Sequence, residues 1–167
     1  MELILVLHNI RSTYNVGAIL RTAEGLGVRE VILSGYTPRF NDERLLPHLR
    51  EKLNHQIAKT ALGAEKMLAI KACEDLVAEI HTLKSKGVMI AGLENNLEDT
   101  RKIPLKNFQT KKSSLALILG EEVNGIPAEI LAECEVILEV PMVGRKESFN
   151  VSVAAAIALW ELTRNNL

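Results

Sequence analysis

Hydrophobic positions come in short, nearly unbroken runs along this chain, separated by helical patterns. LILVLH (3–8), VILSG (31–35), VMIAGL (88–93), SLALILG (114–120) and EVILEV (135–140) are rich in Val, Ile and Leu and too short for core helices. Runs of that kind predict strands covered on both faces, and so a parallel sheet. Between them, apolar residues three or four apart predict helices over 14–26, over 74–86 with Gly87 as terminator, and over 151–164, with one short turn after Pro127. The alternation predicts an α/β fold, a mostly parallel sheet flanked by helices.

Two segments break the pattern and read as irregular. GYTPRFNDERLLPHLREKLNHQIAKT (35–60) mixes Arg39, Arg44, Arg50, Lys52 and Lys59 with Asp42, Glu43 and Glu51. RKIPLKNFQTKK (101–112) has five cations and no acid. Both suit either a solvated surface or local contact with phosphates.

Composition narrows the class. At 167 residues, 47% of them hydrophobic but only 4% aromatic, the chain suits a single domain over 1–167 with an aliphatic core. A formal net charge of −1 means that any nucleic-acid surface must be a local patch. Cys73 and Cys134 are far apart, and His8, His48, His55 and His81 have no ligand spacing with them. Neither a disulfide framework nor a metal site is expected, and a reducing, cytoplasmic compartment fits. No apolar run reaches the roughly 18 residues of a membrane span, and MELILVLHN lacks the basic start and length of a signal peptide. The absence of a phosphate loop, a GxSxG elbow and a GxGxxG fingerprint disfavours a dinucleotide dehydrogenase.

Three stretches can carry chemistry. In HNIRSTYNVGAILRTAEGLGV (8–28), Ser12 or Thr13 can cap a helix whose apolar face is Val16, Ile19, Leu20, Ala23 and Leu26. The other face carries Gly17, Ala18, Arg21, Glu24 and Gly25. Each glycine costs a helix about 1 kcal/mol relative to alanine. Two of them point to close approach by another backbone, a second subunit or a ligand. The plain alternative is an exposed Arg21 weakly paired with Glu24. In LALILGEEVNGIP (115–127) a buried strand ends at Gly120, where ligands of open α/β sheets bind, and Glu122 offers a carboxylate. In VPMVGRKESFNVSVAAAIALWEL (140–162), Pro141 ends a strand, and Ser148, Asn150 or Ser152 can cap a last helix made of small apolar residues.

Taken together and in this order, the stretches resemble the three motifs of the SpoU (TrmH-like) RNA 2′-O-ribose methyltransferases of the SPOUT superfamily. The first is Asn15, Gly17, Arg21, Thr22 and Ala23; the second is Leu119, Gly120, Glu122 and Gly125. The third is Pro141, Met142, Ser148, Phe149, Asn150, Val151 and Ser152, with Phe149 where leucine is usual. KTALGAE (59–65) is also similar to short members of the family.

The resemblance implies an α/β knot, with the C-terminal segment threading a deep trefoil. It also implies a homodimer and S-adenosyl-L-methionine as cofactor. By matched position, Gly92, Leu93, Leu119, Gly120, Val140, Met142, Ser148 and Phe149 are the cofactor residues. Arg21, Asn15, Glu122, Ser148 and Asn150 are the catalytic set. Methyl transfer to a ribose hydroxyl needs an in-line approach and a route for the hydroxyl proton. A guanidinium holds its own proton tightly. Arg21 is therefore expected to clamp the ribose phosphate and steady the developing alkoxide, with Glu122, Ser148 and Asn150 orienting it.

No accessory RNA-binding domain is expected, so RNA contact falls to Arg11, Arg39, Lys111, Lys112, Arg145 and Lys146. Transfer RNA, small and accessible, is favoured over ribosomal RNA. A non-catalytic RNA-binding protein on the same fold, and a nucleotide-binding enzyme of another class, are the competing readings.

Overall fold

Along β1 (Glu2–His8) successive side chains point to opposite faces. Leu3, Leu5 and Leu7 enter one buried cluster, and Ile4 and Val6 enter another. That double burial is why the sequence shows an unbroken apolar run. In the computed structural model, which describes residues 1–95 and 97–164, seven strands form one sheet in the order β3-β2-β1-β6-β4-β7-β5. The others are β2 (Glu30–Ser34), β3 (Ala69–Cys73), β4 (Met89–Leu93), β5 (Lys102–Pro104), β6 (Ser114–Leu119) and β7 (Val136–Glu139). Every pairing is parallel.

Helices cover both faces. α1 (Thr13–Gly25), α2 (Pro47–Ala61) and α5 (Val151–Thr163) lie over the Leu3/Leu5/Leu7 side, and α3 (Leu76–Ser85) and α4 (Ala128–Glu133) over the other. Ser12 caps α1, its hydroxyl accepting from the Asn15 N–H at 3.2 Å. Asn150 caps α5, its carboxamide oxygen accepting from the Ser152 N–H at 2.9 Å. Gly87 follows α3 at φ 80°, the left-handed position that favours glycine.

The two segments expected to be irregular are more ordered than their charge suggested. Residues 47–61 form α2, started by Pro47 and resting on Ile57 and Ala61. Lys102–Pro104 is an edge strand, followed by a one-turn 3-10 helix at Leu105–Asn107. The strand β3 was not foreseen, because AIKAC is half-exposed and carries Lys71.

Gly17 explains how α1 and α2 meet. A Cβ there would strike the Thr60 hydroxyl and the Ile57 carbonyl and lie 3.0 Å from Ala61 N. Thr60 in turn donates its hydroxyl to the Tyr14 carbonyl at 2.9 Å. The close approach foreseen at Gly17 is that of another backbone in the same chain. Gly25 has nothing within 4 Å of its would-be Cβ.

Candidate functional site

Parallel strands end together at one edge of the sheet. Leu93 of β4 is level with Leu119 of β6 and with Leu138 of β7. The loops that leave these strands surround a cleft of about 260 Å³. Six of the expected cofactor residues line it: Leu93, Leu119, Gly120, Val140, Ser148 and Phe149. Gly92 and Met142 are not among the residues that line it. Gly92 faces the other side of the sheet, where a Cβ would lie 3.1 Å from Ile126 Cδ1 and 3.4 Å from Cys134 Sγ. Its missing side chain admits α4 and the chain that leads into it. Sequence reasoning missed Glu94, Asn95, Ile126 and Val151, which also line the cleft. Val151 belongs to the third motif without having been assigned to the cofactor, and Glu94, Asn95 and Ile126 belong to no motif recognisable before folding.

The cleft walls are held by side chains acting on backbone. The Asn95 carboxamide donates to the Val140 carbonyl at 2.8 Å and accepts from the Val140 N–H at 3.1 Å. It thereby engages both backbone polar groups of Val140, one of the expected cofactor residues. Glu94 accepts from the Ile126 N–H at 3.1 Å. Gly120 is required by its own loop: a Cβ there would lie 2.5 Å from the Gly125 carbonyl carbon. Gly125 sits at φ +68° against the Glu94 carboxylate. Glu121, nearly buried, accepts from Asn124 at 2.7 Å and pairs with Arg11 at 2.5 Å.

The three sequence stretches converge on the rim of this cleft. Asn15 donates its carboxamide to Glu122 Oε1 at 2.9 Å. The Asn150 carboxamide donates to Asn15 Oδ1 at 3.4 Å. Glu122 and Ser148 line the cleft itself. Within one chain Glu122, Ser148 and Asn150 make no hydrogen bond to Arg21. Glu122 and Asn150 meet at Asn15 instead. Arg21 lies six residues further along α1, about 9 Å up the helix at 1.5 Å per residue. It is exposed and, among the described residues, makes no hydrogen bond or ion pair. It borders a separate depression with Ala18, Thr22, Lys59 and Thr60.

The cations expected to meet RNA divide into three groups. Arg11, Arg145 and Lys146 are exposed at the cleft edge of the sheet. Arg11 sits 5.9 Å from the Tyr36 ring centroid, and a hydrogen bond to Tyr36, aided by Glu121, raises its pKa. Lys111 and Lys112 are exposed at the opposite edge, just before β6 begins, a strand length of about 20 Å away. Arg39 is buried, pairs with Glu74 and reaches the Cys73 carbonyl at 3.5 Å. It braces the interior and does not face a partner, which corrects its assignment to the RNA surface.

No side chain here is an activated nucleophile of the thiol kind. Burial pushes the Cys134 thiol up to about 11 and raises that of Cys73 as well. Among the described residues no group of three or more His, Cys, Asp or Glu could hold a metal ion.

A parallel sheet with an acid-rimmed cleft of mixed polar and apolar lining beyond three strand ends defines an α/β domain whose cleft lies where such sheets bind ligands. The polar cluster on its rim joins residues from three distant parts of the chain. The chain belongs to the SpoU rRNA Methylase family, whose model matches residues 2–160. A TrmH-family protein of Staphylococcus aureus is 31% identical over 166 residues, 98% of this chain and 59% of that protein. The 23S rRNA (guanosine-2'-O-)-methyltransferase RlmB of Xylella fastidiosa is 33% identical over 162 residues, 97% of this chain and 58% of that protein. The chain thus spans less than two thirds of the length of these relatives. An AdoMet-bound rRNA methyltransferase from Sinorhizobium meliloti shares the fold at TM-score 0.81 and 22% identity, over 99% of this chain and 57% of that one. A structure concerned with the 2-OH methylation of C/U34 on tRNA does so at TM-score 0.78 and 23% identity, over 99% and 96%.

Proposed function

We propose that this domain transfers a methyl group from S-adenosyl-L-methionine to a ribose 2′-hydroxyl of RNA. The observation that carries the reading is the meeting of Asn15, Glu122 and Asn150 on the rim of one cleft in a member of this family.

The cleft suits the cofactor in kind. Leu93, Leu119, Val140 and Phe149 offer apolar walls to a flat base, and Glu94 and Glu122 bring negative charge to a ligand that carries a cationic sulfur. Leu93, Leu119, Gly120, Val140, Ser148 and Phe149 would hold it, and the cofactor would supply its sulfonium methyl group. Asn95 already satisfies the Val140 N–H, so base recognition there adds to the free lone pair of the Val140 carbonyl or displaces Asn95. Asn15 fixes the Glu122 carboxylate, and Asn150 fixes Asn15.

Arg21 borders none of this cleft within one chain, so the site is completed by a second copy. α5 supports a homodimer: apolar residues run nearly all round it, and Val153 and Trp160 stay 45% and 55% exposed. With Arg21 delivered by the partner, its guanidinium clamps the phosphate and steadies the negative charge that grows on the 2′ oxygen as that oxygen takes the methyl group and its proton passes to water. The trefoil knot around the cleft belongs to the same reading. So does a cytoplasmic location, which fits an RNA substrate and two buried free thiols.

Transfer RNA is the substrate class proposed first, because the fold match of nearly equal length is to the structure concerned with tRNA. Ribosomal RNA is the second reading, favoured by the 33% identity to RlmB.

The test is methyl transfer from labelled cofactor to purified tRNA and rRNA, with the product read as alkali-resistant dinucleotides. Calorimetry measures cofactor binding alongside. Transfer to the ribose of either RNA supports the reading. Tight cofactor binding with no transfer to any cellular RNA overturns it.

A further inference from the structure

The helices α1 and α2 are locked together at Gly17 and Thr60, and just beyond that contact they enclose a depression lined by Ala18, Arg21, Thr22, Lys59 and Thr60. Its lining holds two cations, two hydroxyl side chains and no carboxylate. Thr22 donates its hydroxyl to the Ala18 carbonyl at 3.1 Å and Thr60 donates to Tyr14, so both oxygens keep lone pairs but no spare proton. Among the described residues neither Arg21 nor Lys59 has a protein carboxylate as partner. Lys59 is aligned by Tyr14, its Nζ lying 5.8 Å from the ring centroid. A rigid floor, two unpaired cations on its walls and no competing acid make a seat for an anion.

We propose that Lys59 and Arg21 together hold one phosphodiester of the substrate RNA, which makes Lys59 a positioning residue for the reaction. This inference rests on the function proposed above. The planar guanidinium grips two phosphate oxygens, and the lysine ammonium supplies a second, point-like charge. Gly17 matters to the seat because it sets the distance between the two helices that carry the cations.

The experiment uses the full chain, total tRNA as probe and the variants Lys59→Ala, Lys59→Gln and Lys59→Arg, with Lys86→Ala as a control far from the seat. RNA binding is followed by anisotropy across a salt series, cofactor binding by calorimetry, and folding by thermal melts. Lys59→Ala and Lys59→Gln are expected to weaken RNA binding about tenfold at low salt and to reduce the salt slope by about one. Lys59→Arg keeps both near the wild-type values, as does Lys86→Ala, and cofactor affinity stays unchanged in all. Unchanged RNA affinity and slope in both Lys59→Ala and Lys59→Gln overturn the proposal. So does a loss of cofactor affinity with RNA binding intact, which would give the seat to a carboxylate of the cofactor. A wild-type chain that binds RNA but transfers no methyl group overturns the functional reading, and the salt slope then still decides the seat.

Discussion

The carboxamide of Asn15 donates to the carboxylate of Glu122 across 107 residues of sequence, at 2.9 Å. This bond ties the first turn of α1 to the loop after β6, the two pieces that frame the cleft. Asn15→Ala should cost about 1 kcal/mol in urea denaturation, less than the roughly 1.5–3 kcal/mol of a bond to a charged group because the pair is exposed. Asn15→Asp should cost more and depress methyl transfer further, since it sets two carboxylates against each other. Glu122→Gln keeps an acceptor for Asn15 and should be the mildest of the three for stability. Equal stability of Asn15→Asp and wild type would mean that the contact is not formed in solution.

Arg21 poses a separate question, because it stands apart from Asn15. Arg21→Lys retains the charge and removes the planar fork. If the role is a clamp, single-turnover methyl transfer should fall by about tenfold or more, while calorimetry finds the cofactor bound as before. Near-normal turnover would show that a point charge suffices.

Gly17→Ala tests the contact between α1 and α2. Alanine favours the helix by about 1 kcal/mol over glycine. The new methyl would meet the Ile57 carbonyl, which is backbone and cannot swing aside. Overpacking of that sort costs about 1–3 kcal/mol, so a lowered urea midpoint is expected, together with weaker RNA binding as Arg21 and Lys59 move apart.

These contacts mark the limit of what the sequence could reveal. β1, β2, β4, β6 and β7 were legible because burial on both faces leaves a run of aliphatic residues. α2 was not, because only Ile57 and Ala61 of its residues are buried and its surface is crowded with charge. The chemistry divides in the same way. Asn15, Glu122 and Asn150 were readable as motif members, but their meeting depends on the start of α1 and two loops arriving at one edge of the sheet. Charge alone could not separate Arg39, which is buried and pairs with Glu74, from Arg145 on the open rim. Nor could it show that Gly92 serves α4 while its neighbour Leu93 serves the cleft.

His8 should give the fold a pH dependence. Its Nδ1 bonds Ser34 Oγ at 2.9 Å, and the Asn9 carboxamide donates to Nε2 at 3.1 Å, an arrangement suited to the neutral ring. Burial lowers its pKa from 6.5, only partly offset by Glu129. Below pH 6.5 the unfolded chain takes up a proton that the folded chain refuses. Stability is therefore full above that value and falls as the pH drops through the folded pKa. Urea midpoints measured from about pH 7.5 to about pH 5 should fall less steeply in His8→Gln than in the wild type. Parallel profiles would assign the acid sensitivity to other groups.

The geometry also ranks the surface cations. Arg145 and Lys146 stand in the loop that carries Ser148 and Phe149 into the cleft, whereas Lys111 and Lys112 lie at the far edge of the sheet. Charge reversal at Lys111 and Lys112 is expected to weaken RNA binding, and the same change at Arg145 and Lys146 should weaken it more. Each lost phosphate contact should lower the salt slope by about 0.7–0.9. If those cations hold the strand beside the reacting ribose, as proposed, the double reversal at Arg145 and Lys146 should also slow methyl transfer at saturating RNA. The reversal at Lys111 and Lys112 acts far from that ribose and should raise KM for RNA with kcat little changed. Anisotropy titrations and steady-state kinetics on the two double variants separate these outcomes. Equal effects on kcat would mean that the strand is not held along the cleft edge.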